Sequence, residues 1–226
     1  MVDPQKATLE LNSAKQQLLE IYSKLKQYDT SRITNLTEYL KNQSSSPLQR
    51  FQEQTLNSIP LIDKFETTFL QILAYVFLLK DEGHRHPYFQ ELLARYHLAN
   101  EKMLQLKKIR KQQYKHSISL TNLPSNKLIY RYHSWRLRKS IYKEHQFWLT
   151  IQAAYFQETK QLSDLRAILK TEAQKEQAVL AAASTAWLVP IVGTALFFSI
   201  TTFYEWANQY SENYKRLITI ITQNGS

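Results

Sequence analysis

Glycine and proline punctuate this chain so rarely that little except helix is open to it. Three Gly and six Pro are spread over 226 residues, and from Asn126 to Val189 sixty-four residues pass without either. Strands are bounded by turn residues every few positions, whereas a helix runs until something stops it. No alternating apolar and polar run appears between the breaks. The expected fold class is therefore all-α: an elongated helical bundle or coiled coil with one very long helix and an apolar C-terminal helix or helical hairpin. A continuous helix from 126 to 189 would reach about 95 Å at 1.5 Å per residue.

Periodicity places the pieces. Asp3-Pro4 suits an N-cap followed by proline at the first helical position. Ala7, Leu11, Ala14, Leu18, Ile21, Leu25 and Tyr28 then recur at steps of four and three, the seam of a bundle helix. Asp29-Thr30-Ser31 reads as a break capping a second helix with Ile33, Leu36 and Leu40, and the polar cluster from Asn42 to Pro47 as a linker. A helix restarts with Leu48, Phe51 and Ile59, and Pro60 should kink or restart it. The uncharged stretch from Thr67 to Leu79 is too short for a membrane span of about 20 residues, and reads as a buried core helix. After a turn at 80–87, Phe89, Leu92, Tyr96, Ala99, Met103 and Leu106 repeat the heptad spacing. In the long uninterrupted run, Leu128, Tyr132, Trp135, Tyr142, Leu149 and Phe156 mark one face. The expected organisation is an N-terminal helical bundle at 1–116, a linker at 117–125, a long basic-to-mixed helix at 126–176, an apolar segment at 177–204, and an amphipathic helix and tail at 205–226.

The formal net charge of +10 is local. Lys107, Lys108, Arg110, Lys111, Lys115, Lys127, Arg131, Arg136, Arg138, Lys139 and Lys143 fall in a stretch with no acid between Glu101 and Glu144. The rest of the chain holds eighteen basic and nineteen acidic residues, so this stretch carries the whole imbalance. All of these except Lys127 are assigned to a basic interaction face. Tyr114, Tyr130, Tyr132, Trp135 and Tyr142 are interleaved with them. That mixture serves single-stranded nucleic acid binding, where aromatics stack on bases, and membrane interfaces, where Trp and Tyr sit at headgroup level. It also suits aromatics that face a core beneath a solvated charged face. The expected partners are other protein subunits in a hetero- or homo-oligomer, membrane lipid, and an acidic protein or anionic lipid at the basic face, with nucleic acid as a weaker alternative.

A second feature is apolar. No charge occurs from Gln177 to Tyr204, a run longer than the 20 or so residues that cross a bilayer. Trp187, Leu188, Pro190, Ile191, Gly193, Leu196, Phe197, Phe198, Phe203 and Trp206 define this membrane or buried element. Three structures fit it: a kinked spanning helix, a hairpin of two short arms with a tight turn at Pro190–Gly193, or the surrounded helix of a bundle. Arg166, Lys170 and Lys175 precede it and Lys215 and Arg216 follow, a bias that would keep the N-terminal part cytoplasmic. Gln5, Lys6, Asn12 and Lys15 interrupt any N-terminal apolar core, so no cleavable signal peptide is expected. The expected location is the cytoplasmic face of a membrane, or anchored in one.

Catalytic chemistry is not indicated. Phosphate-cradling loops need clustered glycines, and Gly83, Gly193 and Gly225 stand far apart. The lack of Cys removes thiolate nucleophiles, thiolate metal sites and disulfides. No Glu-x-x-His pair suited to a di-metal bundle occurs. His84 and His86, beside Asp81 and Glu82, form the only dense group of candidate ligands and read as a solvent-facing loop. No catalytic residue, metal or cofactor is expected, and the chain is not expected to be an enzyme. The expected function is a helical scaffold, adaptor or effector acting at a membrane, as a subunit or substrate of a bacterial membrane or secretion assembly. The alternatives are an α-helical pore-forming or membrane-remodelling protein built on the apolar hairpin, and a nucleic-acid-binding protein acting through 107–143.

Overall fold

A computed structural model of the chain describes residues 4–78, 87–124, 128–179 and 188–223. Among these residues the fold is all-α: α1 (Pro4–Asn42), α2 (Ser45–Leu78), α3 (Pro87–Asn122), α4 (Leu128–Val179) and α5 (Leu188–Gln223). The chain divides into two compact units, one of Met1–Ile21, Lys64–Lys102 and Ala154–Glu205, the other of Tyr22–Asp63, Met103–Ala153 and Trp206–Ser226. Each helix contributes a segment to each unit.

The seam expected along α1 is buried at Ala7, Leu11, Ala14, Leu18, Ile21 and Leu25. In the first unit the α1 part of that seam packs in a core that includes Phe65, Phe69 and Ile72 of α2, Ala99 of α3, and Ala195, Ile200 and Phe203 of α5. Phe65 and Phe69, one turn apart, tilt against each other with ring centroids 4.6 Å apart. The second unit buries Leu36, Phe51, Leu106, Ile141, Trp148, Trp206, Tyr210 and Leu217, drawn from all five helices. Trp148 is its aromatic centre, edge-on to Trp206 at 5.1 Å and tilted against Tyr210 at 5.7 Å.

Several local expectations are corrected. Asp29-Thr30-Ser31 does not end a helix, because α1 continues to Asn42. Thr30 Oγ1 donates back to the Lys26 carbonyl at 3.0 Å and the Asp29 carboxylate is engaged by arginines, so neither is free to cap. α1 ends where Gln43 turns to a positive φ of 50° and its N–H donates to the Tyr39 carbonyl at 2.7 Å, the left-handed stop of a helix C-terminus. The linker at 42–47 is accordingly only Gln43 and Ser44. Pro60 does not interrupt α2. The carbonyl it orphans belongs to Leu56, which is exposed, so water can take that acceptor. The segment 117–125, expected as a linker, is helical as far as Asn122. Ser117 and Thr121 donate to the carbonyls of Tyr114 and Ser117, and Leu120 is buried, so hydroxyls that suggested a loop are satisfied within the helix.

The apolar segment is also revised. Pro190 and Gly193 do not form a tight turn between two arms, since both lie in the helix that begins at Leu188, where proline's missing N–H costs nothing. No helix among the described residues is long and apolar enough to cross a membrane. Trp187 and the rest of 180–187 lie outside the described residues, as do the end of the expected helix at 126–189 and the His84/His86 loop. Leu188, Pro190, Ile191, Gly193 and Leu196 belong to the start of α5. Phe197 and Phe198 are half-buried, Phe203 is buried in the first unit and Trp206 in the second.

The largest inversion concerns α4. Leu128, Tyr132, Trp135 and Tyr142, which share one face, are exposed by 80, 51, 53 and 37%. The inward face is instead Leu137, Ile141, Glu144, Trp148 and Ile151, spaced by four and three. Trp148→Ala is expected to cost about 3–5 kcal/mol in urea unfolding. Trp135→Ala should change stability by no more than about 0.5 kcal/mol, as for other surface positions. Similar losses from the two would contradict this assignment of the faces.

Candidate functional site

Extending the seams of the second unit by their own period leads to charged residues. On α1 the sequence Leu25, Asp29, Arg32, Leu36 keeps the four-three spacing, as do Leu106, Arg110, Gln113, Ser117 on α3 and Leu137, Ile141, Glu144, Trp148 on α4. α2 contributes Thr55 and α5 contributes Tyr214 at equivalent buried positions. Together they form one polar layer within the buried core of that unit. Arg32 donates from Nη1 to Asp29 Oδ1 (2.8 Å), from Nε to Thr55 Oγ1 (3.0 Å), and from Nη2 to Gln113 Oε1 (2.6 Å) and Glu144 Oε2 (3.4 Å). Arg110 Nη2 lies 2.5 Å from Asp29 Oδ1 and 3.4 Å from Glu144 Oε1. Gln113 Nε2 donates to Glu144 Oε2 at 2.7 Å and Trp206 Nε1 to Asp29 Oδ2 at 3.2 Å.

Two guanidiniums meet two carboxylates, so the layer is formally neutral. Burial pushes the Glu144 carboxyl up, but Arg32 and Arg110, with hydrogen bonds from Tyr214 and Gln113, outweigh it and hold the group down to about 2. Burial likewise opposes the charge on Arg32, and Glu144, Tyr214 and Asp29 overcome it to raise its pKa. The Tyr214 hydroxyl is pushed well above its ordinary value by burial and then by Glu144. Arg32 and Glu144 thus hold each other in their charged forms. The layer is structural, and the basic character of Arg110 belongs to it. Arg110 is fully buried, with its guanidinium 5.8 Å from the Trp206 ring centroid, and is not part of the interaction face to which it was assigned.

The remaining cations divide further. Lys107 pairs with Asp63. Lys108, Lys111 and Lys115 are exposed along α3, and Arg131, Lys139 and Lys143 along α4, with Arg136 and Arg138 half-buried beside them. Lys127 lies outside the described residues. α3 and α4 run antiparallel, as the contacts His116–His133 and Gln113–Glu144 require. The exposed aromatics hold the cations of α4: the Arg136 guanidinium is 5.9 Å from both the Tyr132 and Trp135 ring centroids, and Lys139 Nζ is 5.1 Å from that of Trp135. Tyr130 is tied down differently, its hydroxyl 2.9 Å from that of Tyr39.

Between these helices lies a cavity of about 50 Å³ lined by Gln112, His116, Arg136, Lys139, Ser140 and Lys143. His116 and His133 bring their Nδ1 atoms within 3.1 Å, so one donates and the other accepts. Burial lowers the pKa of His116, and His133, Arg136 and Lys115 lower it further. Among the described residues no group of three or more acidic or histidine side chains is placed to hold a metal ion.

No family model, curated protein or solved structure matches this chain.

Sequence periodicity contained part of the signal for the polar layer: continuing the α1 seam through its apparent break lands on Asp29 and Arg32, and continuing the α3 seam lands on Arg110, whereas Glu144 lies on the side of α4 opposite the face marked by its aromatics. The cavity had no such signal, because it depends on which residues of α3 meet which of α4. Glu144→Gln is expected to cost about 3–5 kcal/mol at pH 7 by leaving buried guanidinium charge unmatched. Because the Glu144 pKa is depressed when folded, its contribution is present above the ordinary value of 4.5 and is lost as pH falls toward about 2. Urea titrations at pH 7 and pH 3 check both statements: wild-type stability for Glu144→Gln at pH 7, or an undiminished acid loss in the variant, would contradict them.

Proposed function

We propose that the protein is a non-enzymatic helical adaptor or effector that docks peripherally on an anionic membrane through the exposed face of α4, as a subunit or substrate of a bacterial membrane or secretion assembly. The observation that carries this is the outward row of Leu128, Tyr132, Trp135 and Tyr142 set among Arg131, Lys139 and Lys143. A helix lying in a membrane interface has this make-up, with apolar and aromatic side chains entering the boundary between headgroups and acyl chains while lysines and arginines meet anionic headgroups. Aromatics and cations alone would suit single-stranded nucleic acid equally. The aliphatic residues favour lipid: Leu128 is exposed, as is Ile129 by 55%, and neither side chain has a flat π-face on which a base could stack.

Two properties follow from the chemistry of such a surface. Each exposed cation near an anionic bilayer adds about 1 kcal/mol, so Lys139→Gln should weaken vesicle binding about fivefold. Raising salt from about 0.1 M to 1 M shrinks the screening length from about 10 Å to 3 Å and should suppress much of the binding. Co-sedimentation with phosphatidylcholine vesicles, with and without phosphatidylserine, measures this. The expected result is binding to the anionic vesicles that is weakened by Leu128→Ser and Ile129→Ser. Failure to bind either vesicle, or tighter binding to single-stranded RNA or DNA that ignores both serine variants, would overturn the membrane proposal.

A further inference from the structure

The cavity between α3 and α4 lies on the flank of the α4 face and has a chemistry of its own. Three cations, Arg136, Lys139 and Lys143, line it within two turns of one helix. No carboxylate pairs with any of them among the described residues. Like charges three and four residues apart on a helix repel one another. Here the repulsion is relieved only in part, by the aromatic faces of Tyr132 and Trp135 on which Arg136 and Lys139 rest. A structure that spends carboxylates on two fully buried arginines leaves this cluster without any, which is the charge pattern of a site whose counter-ion comes from outside.

The size narrows the ligand. One water needs about 10–15 Å³ of such space, so a cavity of about 50 Å³ that opens to solvent holds a group of a few heavy atoms, and anything larger attached to that group stays outside. The donors narrow it further. Arg136 presents a planar fork that matches two oxygens of a tetrahedral anion, and the two ammonium groups act as point charges for the remaining oxygens. Gln112 adds an amide from α3. His116, whose Nδ1 meets His133, also lines the cavity, and its other ring nitrogen is a donor in the tautomer in which Nδ1 accepts from His133. Ser140 offers only an acceptor, since its hydroxyl proton is donated to the Leu137 carbonyl at 2.6 Å, but it is outnumbered by donors.

We infer that this cavity is a phosphate-binding site that takes a terminal phosphate monoester group, carried either by a lipid headgroup or by a soluble phosphate. A monoester suits it better than a diester because its dianion answers more of the three positive charges and leaves three oxygens free for the donors. Where the carrier is a lipid, the inference rests on the membrane docking of α4 and adds headgroup selectivity to it. The site itself needs only Arg136, Lys139 and Lys143.

The test separates the two carriers and the two claims. Inorganic phosphate is titrated into the full chain while the imidazole resonances of His116 and His133 are followed by NMR. In parallel, binding is compared between vesicles containing phosphatidic acid and vesicles containing phosphatidylserine at matched surface charge. The expected result is a saturable shift at His116 and a preference for phosphatidic acid, with the phosphate affinity weakened about tenfold or more by either Arg136→Gln or Lys143→Gln, each of which removes a charge-assisted hydrogen bond. A saturable, variant-sensitive shift without vesicle binding supports the site with a soluble phosphate and removes the membrane docking. Equal binding to both vesicles with no phosphate-induced shift overturns the site and leaves membrane docking standing. Phosphate shifts that persist unchanged in Lys143→Gln and Arg136→Gln also overturn it.

Discussion

A neutral layer of buried charge fixes how the second unit is assembled. Asp29 and Arg32 on α1, Arg110 on α3 and Glu144 on α4 are all at the bottom of the exposure range and within ion-pair distance of one another. An apolar seam that repeats every three and four residues nearly matches itself after a one-turn slip, so Leu and Ile contacts alone discriminate weakly between registers. A slip that separates Arg110 from Asp29, or Glu144 from Arg32, strands an unpaired charge in the core, a penalty of several kcal/mol. Buried polar residues are best attested in this register-setting role. Thr55 and Gln113 add to the layer by occupying donors of Arg32 and an acceptor of Glu144 that the ion pairs leave over.

Fixing Glu144 inward also fixes the rotation of α4. Residues opposite Glu144 and Trp148 on the helical wheel must face out, and these are Leu128, Tyr132, Trp135, Lys139 and Tyr142. Surface aromatics and cations on α4 are thus a consequence of where a carboxylate is buried one or more turns away. The cavity beside them has the same origin, since the Gln113–Glu144 contact sets α3 against α4 in the register that brings His116 opposite Arg136 and Lys143. Structure and surface chemistry are linked through one pair of helices.

Much of the fold could be read before the structure. The four-three spacing of Ala7 to Leu25 gave the buried side of α1, and scarce glycine and proline gave the helical class. Polar residues inside those helices were the source of error. Asp29, Thr30, Ser117, Ser119 and Thr121 are turn-forming side chains, yet these are satisfied within the helix or by a distant partner, and the backbone stays helical. Pro190 and Gly193 misled in the opposite way: placed in the middle of an apolar run they suggested a turn, whereas they open a helix. The aromatic row of α4 was visible as a row, but its direction was not, because hydrophobicity favoured the inside and a competing row from Leu137 through Trp148 to Ile151 took that place.

The sequence by itself determined that the chain is helical, where most of its seams run, and that its excess charge lies between residues 107 and 143, because these depend on composition and on spacing along one helix. Only tertiary structure decided which basic residues are a surface. Arg110 and Lys139 are both cations in the same acid-free stretch, and no local property separates them. Arg110 is buried because carboxylates from α1 and α4 converge on it to offset its desolvation, and Lys139 is exposed because its own helix has turned Glu144 toward that same point. Such a distinction rests on pairings more than thirty residues apart, which a sequence lists but only packing brings together.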